Sequence, residues 1–139
     1  MSRLFPAFVT GRGAVALLLL RLLSGVALMH HGWGKIQNPF HWMDKADAPA
    51  PAVFQALAAL SEWGGGLALV AGLLTPVAAF GIACTMAVAV ATHLGKGQPF
   101  IGQGGSWELA GVYLVNALTL LLLGPGALSV DARLFNKRG

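Results

Sequence analysis

Charge is scarce in this sequence. Of 139 residues, nine are Lys or Arg and five are Asp or Glu, so only 10% are charged. A soluble domain uses about 25% charged residues to cover its surface, so a water-soluble globule is excluded. Cysteine is scarcer still. Cys84 stands alone, which excludes an intramolecular disulfide and any CxxC redox or zinc motif. There is no HExxH, and no apolar run carries Glu-x-x-His, the spacing of a di-iron bundle. Apolar residues, in contrast, make up 56% of the chain, with mean hydropathy +0.70. Nineteen glycines suit closely packed membrane helices better than soluble helix interiors. The chain reads as an integral membrane protein of one domain, residues 1–139.

Four apolar runs are long enough to cross a bilayer: about 14–31, 52–74, 76–93 and 107–123. At 1.5 Å per residue each roughly matches a ~30 Å hydrocarbon core. They lack the alternation of barrel strands, so helices are expected. The fold class predicted is all-α, a four-transmembrane-helix antiparallel bundle in the cell's inner (plasma) membrane. Leu74-Thr75-Pro76 leaves room only for a tight hairpin, with proline in a first helical turn. The loops 34–51 and 94–106 then share the opposite side. The tail after Gly124-Pro125-Gly126 reads as short and polar.

Positive charge sets the orientation. Arg3, Arg12, Arg133, Lys137 and Arg138 lie on the side of the termini, against Lys35, Lys45 and Lys96 in the long loops. Both termini are expected in the cytoplasm, with Trp33 and Trp107 as interfacial aromatics at the outer ends. A cleaved signal peptide is disfavoured by Arg21 inside the first run and by the lack of a small-x-small site after Met29. The net charge of +4 is spread over loops and termini without a basic stripe, so no nucleic-acid partner is expected.

Small residues recur every four positions: Gly64, Ala68 and Gly72 in the second span, Ala79, Ala83, Ala87 and Ala91 in the third. Such stripes let helices approach, and the hairpin makes these two spans the expected contact.

The informative residues are polar ones inside spans, where a charge costs roughly 2.5–3.5 kcal/mol on insertion scales and turns to the bundle interior. Arg21 lies ~12 Å from one end of its span and Glu62 ~15 Å from the opposite end of the next, at helical rise. Antiparallel helices would bring them level, so a buried Arg21–Glu62 ion pair is expected. It would either lock the bundle or form part of a ligand or proton site. His31, His93 and Glu108 fall toward the outer side. At 100° per residue His31 lies ~80° from Arg21 and His30 ~180° away, so His31 faces the interior. Glu108 also suits the positive end of a helix dipole. Such a cluster could bind metal, though no spacing supports one. It could hydrogen-bond a quinone and exchange protons with it, or it could be a structural network. Cys84 reads as a small apolar residue.

These residues occur in an order that resembles a known family. An Arg in the first span precedes His31-Gly32-Trp33-Gly34-Lys35. Glu62-Trp63-Gly64-Gly65-Gly66-Leu67-Ala68-Leu69 and Gly72-Leu73-Leu74-Thr75-Pro76 follow. Met86 and His93, then Trp107-Glu108-Leu109, then Gly124-Pro125-Gly126 and Leu128-Ser129-Val130-Asp131 complete the series. From about Arg21 to Asp131 the chain resembles the DoxX family of small four-helix membrane proteins. The resemblance implies a subunit of a membrane oxidoreductase system at the quinone pool, with a quinone and a partner redox protein. Arg21, His31, Glu62, His93 and Glu108 are then the candidate ligand-binding residues. Two alternatives stand beside it. One is a non-catalytic scaffold for partner enzymes. The other is a small-molecule or proton pathway, for which a bundle this narrow would need an oligomer.

Overall fold

The computed structural model describes residues 7–136; Arg3, Lys137 and Arg138, used above for orientation, lie outside them. The described residues form helices joined by loops, with no strand. Helix α1 spans Gly11–Gln37, α2 spans Ala52–Ala71, α3 spans Thr75–Gly95, α4 spans Glu108–Leu123, and a short α5 spans Val130–Phe135. The first three are long and apolar enough to cross a membrane, and α4 is a shorter apolar helix. Leu19, Leu23, Phe54, Phe80, Val88 and Leu122 point outward, as lipid-facing side chains do. Leu17, Leu28, Leu69, Ile82, Met86 and Leu120 fill the interior.

One end of the bundle carries the connections after α1 and α3. The other carries the α2–α3 hairpin and α5. Helix α1 runs past its expected limit at His31 to Gln37, through Gly32-Trp33-Gly34-Lys35. Glycine is weak in an isolated helix, but here Gly32 presses against α2: a Cβ on it would lie 2.7 Å from the Trp63 amide nitrogen. Two turns earlier, a Cβ on Gly25 would lie 2.6 Å from the Gly66 carbonyl oxygen. These three glycines therefore set the closest helix approach, where van der Waals contact and not water drives packing.

The four-residue stripes predicted for that role are only partly used. Four residues overshoot a helical turn by ~40°, so a long stripe rotates off any one interface. Ala79 and Ala83 are buried while Ala87 and Ala91 are exposed. In α2 the buried face is Gly65, Gly66 and Leu69, because a π-helical turn at Leu60–Gly64 shifts the register. A polar tie also joins α1 to α4: Asn116 Nδ2 donates to Ser24 Oγ over 3.0 Å.

The hairpin end is held by two charges. Helix α2 closes on Gly72 in the left-handed region, φ +66°, with Leu73 N–H donating to Ala68 O and Gly72 N–H to Leu69 O, a Schellman cap. Leu74 is also left-handed, φ +49°, a strained setting for a branched side chain. Asp131 holds it there. Its Oδ1 accepts the Leu74 N–H at 2.7 Å and its Oδ2 the Thr75 N–H at 2.9 Å, which also places a carboxylate at the positive end of α3. The expected polar tail is thus a docked helix whose acid is fully buried.

Arg21 belongs to this end. It is fully buried, and its guanidinium donates to Leu69 O at 3.1 Å and to Leu128 O. The expected Arg21–Glu62 ion pair does not form. The depth estimate ended the first span at His31, but the helix continues six residues to Gln37, ~9 Å further. Glu62 therefore lies opposite Gly32, and Arg21 opposite Leu69, nearer the hairpin.

Candidate functional site

At the long-loop end, side chains from all four long helices surround a cleft of about 180 Å³. Leu28, His31 and Lys35 share one face of α1 at i, i+3 and i+7. Glu62 enters from the π turn of α2. Met86 and His93, seven residues apart, come from α3. Ser106, Leu109, Ala110 and Tyr113 complete the wall.

The charge at its centre is a pair. Lys35 Nζ donates to Glu62 Oε1 at 2.8 Å and to Oε2 at 2.9 Å. The Glu62 side chain is 5% exposed and that of Lys35 27%. Neither charge would rest at this depth alone, since removing one partner of a buried pair costs about 3–5 kcal/mol. The π turn that carries Glu62 is a rare geometry, found frequently at functional sites.

The loop after α1 caps the pair. The Trp42 ring lies 4.5 Å from Lys35 Nζ, a cation–π distance. Gln55, buried at the start of α2, fixes that loop. Its carbonyl accepts the Trp42 indole N–H at 2.9 Å, its Oε1 accepts the Met43 N–H at 2.9 Å, and its Nε2 donates to Ala50 O at 2.7 Å. The imidazoles are anchored as well. The His31 ring meets the Tyr113 ring edge-on with centroids 6.0 Å apart, and His93 Nδ1 bonds Gln98 Oε1.

Of the residues singled out in the sequence, His31, Glu62 and His93 line the cleft. Arg21 lies at the hairpin end. Glu108 is exposed as the first residue of α4, where its carboxylate suits the helix dipole; Ser106 and Leu109 form the adjacent wall. His30 borders a separate apolar groove with Trp33 and Trp63. Cys84 is exposed. Among the described residues no three His, Cys, Asp or Glu side chains gather as a metal site.

Lys35, Tyr113 and Gln98 were missed. Lys35 sits four residues after His31 and so shares its helical face, a signal hidden once the first span is ended at His31. Chemically, the cleft combines two imidazoles, a phenol, a hydroxyl and a neutralised ion pair. It can hydrogen-bond a small polar ring and exchange protons with it.

A family model, DoxX, matches residues 16–95, from early in α1 through the last residue of α3. Across 128 residues the chain is 33% identical to Inner membrane protein YqjF of Escherichia coli (strain K12), covering 89% of this chain and 95% of that protein. Across 143 residues it is 30% identical to Uncharacterized membrane protein Rv3486 of Mycobacterium tuberculosis (strain ATCC 25618 / H37Rv), covering 94% and 88%. No solved structure gives a significant match. Its helices, its apolar exterior and these similarities together make the protein a member of the DoxX family of membrane proteins.

Proposed function

We propose that this protein is a quinone-binding subunit of a membrane oxidoreductase system, and that the cleft at the long-loop end holds the quinone head. The observation that carries this reading is that His31, His93 and Tyr113 line one cleft with the Lys35–Glu62 pair, whose carboxylate is buried. A quinone supplies two-electron, two-proton chemistry, and imidazoles near neutral pH are suited to the proton half of it. No dithiol is available with Cys84 alone, so electrons pass to or from a partner redox protein or a substrate.

Size supports a head without its tail. The cleft, at about 180 Å³, falls below the ~300–1,000 Å³ that enclose a drug-sized ligand. A single ring fits, and an isoprenoid tail would lie among lipids. His31 lines the cleft yet is exposed, which favours access from outside the bundle. On this reading the protein lies in the plasma membrane with both termini in the cytoplasm, an orientation that Arg12 and Arg133 at the hairpin end support.

The test is binding of a short-chain quinone analogue to the protein in nanodiscs. With the analogue assayed in both its oxidised and its reduced form, His93→Ala and Glu62→Gln should each weaken binding of the tighter-bound form about tenfold or more, the loss of one good hydrogen bond. Unchanged affinity in both variants would refute the site. Binding of no quinone by the wild type would favour the scaffold reading, in which the polar cluster only holds the bundle.

A further inference from the structure

The cleft's fixed hydrogen-bonding groups are not balanced between donors and acceptors. Lys35 has three N–H donors. Two are spent on the oxygens of Glu62, and its ammonium faces the Trp42 ring at 4.5 Å. The lysine is therefore engaged, while each Glu62 oxygen, with one bond accepted from Lys35, keeps a further lone pair and has no proton to donate.

His93 adds a second acceptor. Its Nδ1 faces the amide oxygen of Gln98; an amide oxygen accepts and cannot donate, so a hydrogen bond there requires the tautomer with the ring proton on Nδ1. In the neutral imidazole Nε2 is then left with its lone pair. The loop after α3 is built to hold Gln98 there. Gln98 N–H donates to His93 O at 3.1 Å, Trp107 N–H to Pro99 O at 3.3 Å and Glu108 N–H to Phe100 O at 3.1 Å. The Phe100 and Trp107 rings meet at a tilt of 52° with centroids 4.6 Å apart. Gly105, at φ +137°, makes room for the Gln98 amide, with which any side chain there would collide. His31, Tyr113 and Ser106 can each donate or accept, so they do not discriminate.

An acceptor-rich cleft fits a ligand that brings its own donors. We infer that the cleft selects the reduced, hydroxyl-bearing form of its ligand, a hydroquinone, through the His93 Nε2 lone pair that Gln98 fixes. A quinone carbonyl would instead set its own lone pairs against that nitrogen. The inference rests on the quinone reading above and adds to it the redox state bound and Gln98 as a positioning residue.

Two measurements on the full chain in nanodiscs test it. In ¹⁵N-histidine NMR, His93 should have a protonated Nδ1 and a bare Nε2, and Gln98→Leu should mix the tautomers. A protonated Nε2 in the wild type would overturn the inference. In anaerobic binding, a short-chain benzoquinol should bind about tenfold or more tighter than its benzoquinone, one good hydrogen bond's difference. Gln98→Leu and Gly105→Ala should each remove that preference, while Gln98→Glu, which keeps an acceptor, should retain it. Equal or tighter binding of the benzoquinone overturns the inference and leaves the quinone site standing. Binding of neither form overturns both.

Discussion

Lys35 and Glu62, 27 positions apart in sequence, form a bidentate ion pair with both N–O distances under 3 Å. Glu62 is nearly fully buried, so the pair is a condition for the bundle's long-loop end as well as a wall of its cleft. Lys35→Met alone should strand the carboxylate and lower stability by about 3–5 kcal/mol. Adding Glu62→Gln should recover part of the loss. Thermal unfolding of the detergent-solubilised single and double variants measures both.

The hairpin end offers an independent check. Asp131 accepts two backbone N–H groups and supports the left-handed Leu74. Hydrogen bonds to charged groups contribute about 1.5–3 kcal/mol each, so Asp131→Ala should destabilise clearly and Asp131→Asn less, since an amide keeps one acceptor. Proteolytic nicking between α2 and α3 should rise in the same order.

Glycine positions separate close packing from helix propensity. Gly25→Val would force a side chain against the Gly66 carbonyl, whereas a Cβ at Gly34 meets nothing within 4 Å. The first should cost at least about 1–3 kcal/mol through overpacking. Gly34→Ala should be neutral or stabilising by up to about 1 kcal/mol, the glycine–alanine difference in a helix. Paired melting curves would show the contrast, and equal effects would contradict the helix approach described.

Much of the fold was legible because it follows from hydropathy. Four apolar runs became four helices, and Leu74-Thr75-Pro76 became the hairpin, since neither depends on distant partners. Register was not legible. The extension of α1 through Gly32 and Gly34 depends on their contacts with α2, and the π turn at Leu60–Gly64 alters the face of every later residue. That error carried Lys35 into a loop and set Arg21 opposite Glu62, where the fold sets it opposite Leu69. Asp131 was hidden for a similar reason: nothing local marks a tail acid as the cap of a helix more than fifty residues earlier. Glu62 is buried whatever the register, because a charge in an apolar run turns away from lipid, and His31 and His93 border the same cleft.

Orientation can be measured directly. A reporter active only in the cytoplasm should be active when fused after residue 139, and one active only outside the cytoplasm should be active when inserted at Lys45. The reverse pattern would invert the topology and place the cleft on the cytoplasmic side.

The central claim is that the ligand sits among His31, His93 and Tyr113, next to the Lys35–Glu62 pair. Photo-crosslinking with an azido-quinone analogue in its hydroquinone form, followed by mass-spectrometric mapping, tests this most directly. Labels at His31, His93 or Tyr113, suppressed by Glu62→Gln, are the predicted result. Labels confined to the groove of Val26, Trp33 and Trp63, or to the hairpin end around Arg21, would contradict it.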